Sequence, residues 1–220
     1  MVGERMRSDI IEGVLRPGTQ LNEVELAASF GVSRGPVREA VQRLIQEGLL
    51  RSEPHRGVFV PMLGAADIAD IYLAREALET AALRRVTGTS RAVSSYKALD
   101  RIVRAMESAE KSDDWRTVVD RDLDFHTALV VAADSPRLER MFTTVISETR
   151  LCLAILMDAY DREDLVRRRD DLVEEHRQIL DLVRADDAEG AVAVLKKHFD
   201  GARGTLKRGM GADAERPYAG

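Results

Sequence analysis

The hydrophobic positions of the chain repeat with a helical period, in short stretches over the first 61 residues and in long stretches afterwards. Arg5–Leu15 predicts a helix with its apolar residues on one face, and the Pro17 and Gly18 that follow are expected to end it. Asn22 with Glu25 three residues later is a capping-box pattern, which predicts the start of a second short helix.

A third helix and a small sheet are predicted next. Gly31 is expected to end the second helix in a left-handed turn, and Ser33 to cap a third helix that stops at Gly48. The third helix has an apolar face of Val37, Val41, Leu44 and Ile45. Residues 49–51 and 57–60 read as two short strands around a turn. Two helices, a turn, a helix and a two-stranded wing predict a winged helix-turn-helix.

The rest of the chain predicts an all-α antiparallel helical bundle, so the fold class is mainly α with a small β-wing. Its hydrophobic pattern has almost no Gly or Pro interruption before residue 201. We expect a winged helix-turn-helix domain over 1–62, a helical domain over 63–208 and a disordered tail over 209–220. The predicted helices are 65–87, 90–111, 114–133, 136–159, 161–184 and 186–208.

Composition narrows the class of protein. Hydrophobic residues make up 45% and aromatic residues only 5%, which favours helices over a β-sandwich. One cysteine, Cys152, excludes an intramolecular disulfide framework and a Cys-rich zinc ribbon, and we expect it to be a buried apolar residue. Apolar runs are too short for a membrane helix, and the charged N-terminus lacks the apolar region of a secretory signal. A soluble cytoplasmic protein is the expectation.

The charge is unevenly distributed. The net charge is −5, yet residues 1–61 hold eight arginines and eight acidic residues and are neutral. Between Ser33 and Arg56, five arginines face three glutamates. Because the local field governs contact with phosphate, an acidic protein with such a segment can still bind DNA.

Two arginines are suited to read DNA. Arg34 and Arg38 lie four residues apart, so they share a face of the third helix opposite its apolar face. At the start of a helix in the major groove, arginines can bind guanine O6 and N7 with two hydrogen bonds. Arg56 and Gly57 are placed at the tip of the wing. The alternative is that these arginines are only solvated surface charges.

The segment GVLRPGTQLNEVELAASFGVSRGPVREAVQRLIQEGLL resembles the N-terminal domain of the GntR family of bacterial transcription regulators. The resemblance covers about residues 4–61 and includes the pieces L-A-x-x-F-G-V-S-R, P-V-R-E-A and R-L-x-x-E-G-L-L in order. Gly35 stands where many relatives have Thr or Ser, which removes one side-chain contact. The resemblance implies DNA contact by Ser33, Arg34, Gly35, Arg38, Arg43, Arg56 and Gly57.

Three histidines lie deep in the predicted bundle helices. Asp122 precedes His126 by four residues, so both side chains leave one helix face, and His176 and His198 fall on consecutive helices. Three neutral imidazoles and one carboxylate suit zinc or another borderline divalent ion. The alternative is that these are ordinary core or surface histidines.

The strings DIYLAREALE (70–79), DLDFHTAL (122–129), EHRQIL (175–180) and HF (198–199) resemble the C-terminal ligand-binding FCD domain of the FadR-type branch of GntR regulators. The resemblance implies a metal site of Asp122, His126, His176 and His198, and an effector-binding role for Arg75. The alternative for Arg75 is a surface ion pair with Glu79. Arg150 is a further candidate for the effector cavity.

These features predict a DNA-binding transcription regulator, a repressor by the commoner behaviour of the family, and not an enzyme. A homodimer would bind a pseudo-palindromic double-stranded operator, and a small organic acid would bind at the metal, which we expect to be zinc, with nickel or manganese as alternatives. Two other functions stay open. A metal-dependent hydrolase or lyase would need a general base, and no His-Glu-x-x-His motif supplies one. A metal-ion sensor would respond to the ion itself.

Overall fold

The structure is a computed structural model that describes residues 2–88, 92–157 and 162–209; side chains are described outside 92–94, 155–157, 162–170 and 208–209. Its N-terminal part confirms the winged-helix prediction. Val37, Val41 and Leu44 of the third helix are buried against the first helix, where Met6 and Ile10 are buried in turn. The elements of this part are α1 (Val2–Ile11), β1 (Gln20–Leu21), α2 (Glu23–Phe30), α3 (Arg34–Gln46), β2 (Arg51–Glu53) and β3 (Gly57–Phe59).

Two predictions about these helices need correction, one on the end of the first helix and one on the cap of the second. The first helix ends at Ile11 and not at Leu15, because Gly13 takes a left-handed conformation with φ 73° and turns the chain before Pro17 is reached. The capping box is not formed as predicted either. The Asn22 side chain accepts a hydrogen bond from the Val24 amide, whereas Glu25 binds the Asn22 side chain and not its backbone N–H.

The sheet has three strands in the order β1-β3-β2, all antiparallel. Gln20 pairs with Phe59 on one side, and Arg51 pairs with Phe59 on the other. The sequence predicted only the two strands of the wing, and it started the first at residue 49 where the structure starts it at Arg51. Leu49 and Leu50 are instead buried in the N-terminal core, directly after the left-handed Gly48 that ends α3.

The C-terminal part is the predicted helical bundle. Its core is a continuous cluster of buried apolar side chains, with Phe125, Phe199 and Tyr72 among the largest. No helix within the described ranges is long and apolar enough to cross a membrane. The predicted tail lies outside the described residues from 210 onward. The helices are α4 (Ala65–Val86), α5 (Ala92–Lys111), α6 (Trp115–Ala132), α7 (Pro136–Met157), α8 (Arg162–Arg184) and α9 (Ala188–Gly209).

Helix α7 joins the two parts. The side chain of Leu151, a residue of α7, packs into the N-terminal core, where it is 1% exposed. The Thr144 hydroxyl donates a 3.1 Å hydrogen bond to the carbonyl of Gln46, the last residue of α3. The Glu148 side chain lies directly against Gly48, where a methyl group would come within 2.8 Å of Cγ. The end of α3 is thus in direct contact with the bundle.

Candidate functional site

Four buried side chains from three helices converge inside the bundle. Asp122 and His126 come from α6, His176 from α8 and His198 from α9, and one ligand atom of each lies within 4.8 Å of the others. Asp122 Oδ1 is 3.2 Å from Nε2 of His176, 3.6 Å from Nε2 of His198 and 3.7 Å from Nε2 of His126. The structure therefore brings together all four residues that the sequence predicted as metal ligands.

The outer nitrogen of each ring has an acceptor of its own. Nδ1 of His126 is 2.5 Å from Glu79 Oε2, and Nδ1 of His198 is 3.0 Å from Glu175 Oε2. Nδ1 of His176 is 2.7 Å from the Leu172 carbonyl oxygen, one turn earlier on α8. Because each of these acceptors needs a proton from the ring, neutral rings carry their protons on Nδ1 and direct the lone pair of Nε2 inward.

This arrangement fits a divalent metal ion. With the protons on Nδ1, three nitrogen lone pairs and a carboxylate oxygen face one another; Nε2 of His126 and Nε2 of His198 are only 3.3 Å apart. Asp122 Oδ1 and His176 Nε2 are buried and have no hydrogen-bond partner. Acceptors that converge without a donor repel one another, and a cation among them removes the repulsion.

The electrostatics of the cluster also favour a positive charge at its centre. Burial alone would raise the pKa of Asp122, but the hydrogen bonds and charge of His126 and His176, when these rings are protonated, hold it well below its usual value. Burial would likewise raise the pKa of Glu79, and His126 and Arg75 reverse this. Burial would lower the pKa of His126, but the carboxylates of Glu79 and Asp122 together raise it, whereas burial lowers the pKa of His198 to about 4. The buried carboxylates thus stay ionised.

Arg75 is buried next to this cluster, at 1% exposure. Its Nε donates a 3.0 Å hydrogen bond to Glu79 Oε1, so the ion pair weighed as a surface pair lies in the core. The guanidinium carbon is 5.0 Å from the ring centre of Tyr72 and 4.6 Å from that of Phe199. Nη2 of Arg75 is buried without a hydrogen-bond partner. A carboxylate of a ligand is a suitable acceptor for it.

The structure places Arg150 elsewhere. It binds Asp120 at 2.7 Å, with its side chain 34% exposed, and lines a groove of about 790 Å³ between α1 and the helices α6 and α7. None of the four clustered ligands lines that groove. Arg75 and Arg150 therefore do not line the same cavity. Cys152 is buried, as predicted, and burial raises the pKa of its thiol to about 12.

The residues predicted to contact DNA all lie on the surface of the N-terminal part. The side chains of Arg34 and Arg38 are 60% and 63% exposed, and both approach Glu23 of α2, at 3.9 and 3.4 Å. Ser33 is at the N-cap position of α3, although its side chain makes no capping hydrogen bond. Gly35 is exposed, with open space where a side chain would stand. The start of α3 thus presents two cations to solvent.

The wing tip and Arg43 lie at different places relative to the exposed start of α3. Gly57 has φ 105° and lies against the Gln20 side chain, which donates a 2.6 Å hydrogen bond to the Arg56 carbonyl. The Arg56 side chain is 59% exposed. Arg43 is nine residues after Arg34, about half a helical turn away around α3. It is close to α1, where Arg7 and, at longer range, Arg43 lower the pKa of Glu4.

Sequence reasoning missed two carboxylates of the site. Glu79 was treated only as a partner of Arg75, and Glu175 was quoted only as part of a motif, yet each binds the outer nitrogen of a clustered histidine. A signal existed for Glu79, because its four-residue spacing from Arg75 places both on one helix face. Glu175 directly precedes His176 but binds His198 of the next helix, which no local pattern indicates.

Comparison with known proteins gives two family matches. Residues 1–60 match the bacterial regulatory proteins of the gntR family, and residues 70–201 match the FCD domain. The second match alone covers more than half of the chain. The four clustered ligands and Arg75 lie inside it, whereas Arg34, Arg38 and the wing lie inside the first.

Similar proteins extend over most of the chain. The Nta operon transcriptional regulator of Aminobacter aminovorans is 34% identical, over 84% of this chain and 85% of the relative. The gluconate operon transcriptional repressor of Bacillus subtilis (strain 168) is 28% identical, over 90% of this chain and 81% of the relative. A solved GntR transcriptional regulator from Rhodococcus sp. RHA1 is 30% identical with a TM-score of 0.75, over 96% of both chains.

Proposed function

Because this chain belongs to the GntR family of bacterial regulators and carries an FCD domain, it is a transcription regulator, and we propose that a small carboxylate bound at a metal site in its bundle controls its affinity for DNA. The observation that carries this proposal is the convergence of four buried acceptor atoms beside a buried arginine with a free donor. We assign the DNA-binding domain to residues 1–62 and the effector domain to 63–208.

The DNA-binding role rests on exposed positive charge. Arg34 and Arg38 extend from the first turns of α3, where they can bind base edges in the major groove. Ser33, Gly35 and the wing residues Arg56 and Gly57 complete the contact surface, and Arg43 contributes a phosphate contact. A homodimer would place two copies of α3 on a pseudo-palindromic operator. The relative named as a gluconate operon repressor supports repression as the outcome.

The effector-binding role rests on the bundle. Asp122, His126, His176 and His198 would hold a divalent ion, with zinc favoured by three imidazole ligands, and Arg75 would bind a carboxylate through Nη2. Bound there, the ion supplies Lewis acidity that attracts an anionic ligand. Four protein ligands leave coordination positions for such a ligand on a five- or six-coordinate ion. Arg150 is assigned to the groove beside α1, and its part in effector binding would be indirect.

The route from effector to DNA passes through α7 in this proposal. That helix contacts α4 and α6 of the bundle and carries Thr144, Glu148 and Leu151 into contact with the N-terminal part. A ligand changes DNA affinity only if it binds two arrangements of the parts with different affinity. The contact between Thr144 and the last carbonyl of α3 is the place where such a difference would reach the DNA-binding surface.

The two alternative functions, a metal-dependent enzyme and a metal-ion sensor, differ from this proposal in the features that each requires. GntR-type regulators are not enzymes, so the family excludes the hydrolase or lyase considered from the sequence. A metal-ion sensor would use the same four ligands with no role for Arg75. The free Nη2 of that buried arginine favours an anionic effector over the ion as the signal.

The test measures operator affinity. DNA duplexes selected from a randomised library by the zinc-loaded protein serve as operator, and fluorescence anisotropy follows their binding. We expect at least one acid in a panel of small mono-, di- and hydroxycarboxylates to change operator affinity about tenfold, which corresponds to a coupling free energy of about 1.4 kcal/mol. The same acid is expected to have no effect on protein stripped of metal by a chelator.

The Arg75→Met variant is the matched control, because it keeps the four metal ligands and removes the proposed anion partner. It should bind zinc and operator but respond to no acid. Operator affinity that follows free zinc and ignores every acid would support the sensor. A protein that selects no DNA sequence at all would contradict the DNA-binding assignment itself.

A further inference from the structure

Two positive charges compete for the same interior space in the proposed site. Arg75 is fully buried beside His126 and stacks on Phe199, whose ring centre is 5.6 Å from that of His126. A divalent ion on His126 would therefore lie close to a buried guanidinium. In a low-dielectric interior, like charges at such separations repel strongly unless an anion lies between them. The site needs a group that makes both cations compatible.

Glu79 has the position that this group requires. It is one turn after Arg75 on α4, with its side chain at 0% exposure. Its Oε1 accepts from Arg75 Nε at 3.0 Å, and its Oε2 lies 2.5 Å from Nδ1 of His126. One carboxylate thus binds the arginine with one oxygen and the metal ligand with the other. This leaves Nη2 of Arg75 free for another acceptor.

Glu175 provides the comparison within the same site. It also binds the outer nitrogen of a clustered histidine, Nδ1 of His198, at 3.0 Å, and it is also buried. One cation near it is Lys197, whose side chain is 73% exposed and whose Nζ is 3.7 Å from Glu175 Oε1. Water screens that charge, whereas the guanidinium beside Glu79 is buried away from water and has Glu79 as its hydrogen-bonded carboxylate. The two glutamates thus share one role, and Glu79 has a second.

We propose that Glu79 is a positioning residue with two functions: it orients His126 toward the metal ion, and it shields that ion from Arg75 so that the arginine can bind a carboxylate ligand beside it. The charges agree with this. The carboxyl groups of Asp122, Glu79 and Glu175 are buried with a single guanidinium, that of Arg75, so acidic groups outnumber this cation around the cluster. The inference rests on the metal site of the proposed function and deepens it.

The test measures zinc affinity of the full chain by competition with a chromophoric chelator. Loss of an outer carboxylate on a metal-binding histidine lowers metal affinity about 10–100-fold. We expect Glu175→Gln to lie near the lower end of that range and Glu79→Gln near the upper end, because only the second also exposes the ion to Arg75. The double variant Arg75→Met/Glu79→Gln removes the unshielded cation and should recover about tenfold of the loss.

Three results would overturn the inference. Equal losses in Glu79→Gln and Glu175→Gln would show that Glu79 has no shielding function. Failure of the double variant to regain affinity would show the same. In the third result, zinc-free Glu79→Gln melts at a lower temperature than the zinc-free wild type but binds zinc with wild-type affinity. Glu79 would then serve only as a structural ion pair.

Folding of each variant is checked by its far-ultraviolet circular dichroism. If Glu79→Gln does not fold, the double variant decides by itself: zinc binding as weak as that of Glu175→Gln supports the inference, and wild-type affinity contradicts it. A wild-type protein that binds no zinc would instead contradict the metal site of the proposed function, so the two failures are distinguishable.

Discussion

Charged side chains have opposite surroundings in the two parts of this molecule. In the bundle, Arg75, Glu79 and Asp122 are almost fully buried, and each is within hydrogen-bonding or ion-pair distance of another charged or titratable group. At the start of α3, Arg34 and Arg38 are more than half exposed, and their nearest carboxylate, on Glu23, is 3.4 Å away or more.

The difference follows from the free energy of burying charge. A buried charge must have its partners in the folded state, because leaving one uncompensated costs several kcal/mol. An exposed arginine is solvated already, so its ion pairs contribute little and it can exchange Glu23 for a phosphate or a base. The bundle is therefore suited to hold a ligand in a fixed geometry, whereas the α3 surface is suited to bind and release DNA.

The largest expected effect is that of the metal on stability. Zinc at about 1,000 times its dissociation constant should stabilise the folded protein by about 4 kcal/mol. For a chain of this length, 1 kcal/mol shifts the melting temperature by about 2–4 °C, so we expect a rise of about 8–16 °C over chelator-treated protein. Differential scanning calorimetry measures the shift.

Two histidine variants make this prediction specific. His176→Ala removes one buried ligand and should abolish most of the shift. His55→Ala removes the one histidine of the chain that lies outside the cluster, exposed in the turn between β2 and β3, and should keep the full shift. A shift that persists in His176→Ala would mean that zinc binds elsewhere.

The sequence could predict those features of the molecule that a local pattern of residues encodes. The long helices were predicted closely because a 3.6-residue apolar period extends over about twenty residues in each, and Pro136 marks the start of α7. The four residues of the buried cluster were found because the spacing of Asp122 and His126 and the later histidines matched a known pattern. β1 was missed because its two residues, Gln20 and Leu21, are too few for any period.

The outer contacts of the site could not be predicted, for a physical reason. Spacing shows that Arg75 and Glu79 share a helix face, but not whether that face is buried, and burial decides between a weak surface pair and a strong core pair. The contact of Glu175 with His198 depends on how α8 and α9 pack, which no local pattern describes. Arg150 was placed near the effector by its apolar neighbours, whereas it faces the groove beside α1.

The second prediction concerns the exposed arginines. Arg38→Ala should weaken binding to a selected operator by about 1–3 kcal/mol and relax the preference for one base position, because it removes a base contact. Arg43→Ala is the matched control on the same helix, about half a turn away. It should lower affinity for all sequences alike and reduce the salt dependence, as loss of a phosphate contact does. Fluorescence anisotropy at several salt concentrations separates the two.

Neither arginine variant should alter the fold, since both side chains are exposed. The contrast between buried and exposed charges predicts that their melting temperatures match that of the wild type. An Arg38→Ala variant that binds the operator as the wild type does would remove Arg38 from the contact surface.

The third prediction concerns the joint between the two parts, by which we mean the contact of the end of α3 and Gly48 with Thr144 and Glu148 of α7. Gly48 and Gly31 both have left-handed backbones, at φ 78° and 66°, so alanine at either position costs about 1–2 kcal/mol in strain. Only Gly48 is packed against another part, with Glu148 Cγ 2.8 Å from the position of a methyl group, whereas Gly31 has open space. Gly48→Ala should therefore be the more destabilising in urea unfolding. Equal losses would mean that Glu148 moves away without cost.

The smallest expected effect is that of pH at the same joint. Burial and the charges of Asp67 and Asp70 raise the pKa of Glu148, unlike those of Asp122 and Glu79, whose partners lower them. Ionising Glu148 therefore costs more in the folded state than in the unfolded state, and the protein loses stability as pH rises from the ordinary carboxyl pKa through the raised one.

Replacing Glu148 by Gln removes this cost, so the variant should melt slightly above the wild type at pH 7.5 and together with it at pH 4. Asp70→Asn removes one of the two repelling charges and should give a smaller gain of the same sign. A Glu148→Gln variant that is less stable than the wild type at pH 7.5 would show that the ionised carboxylate stabilises the joint. The half-buried charge of Glu148 would then resemble the paired charges of the bundle.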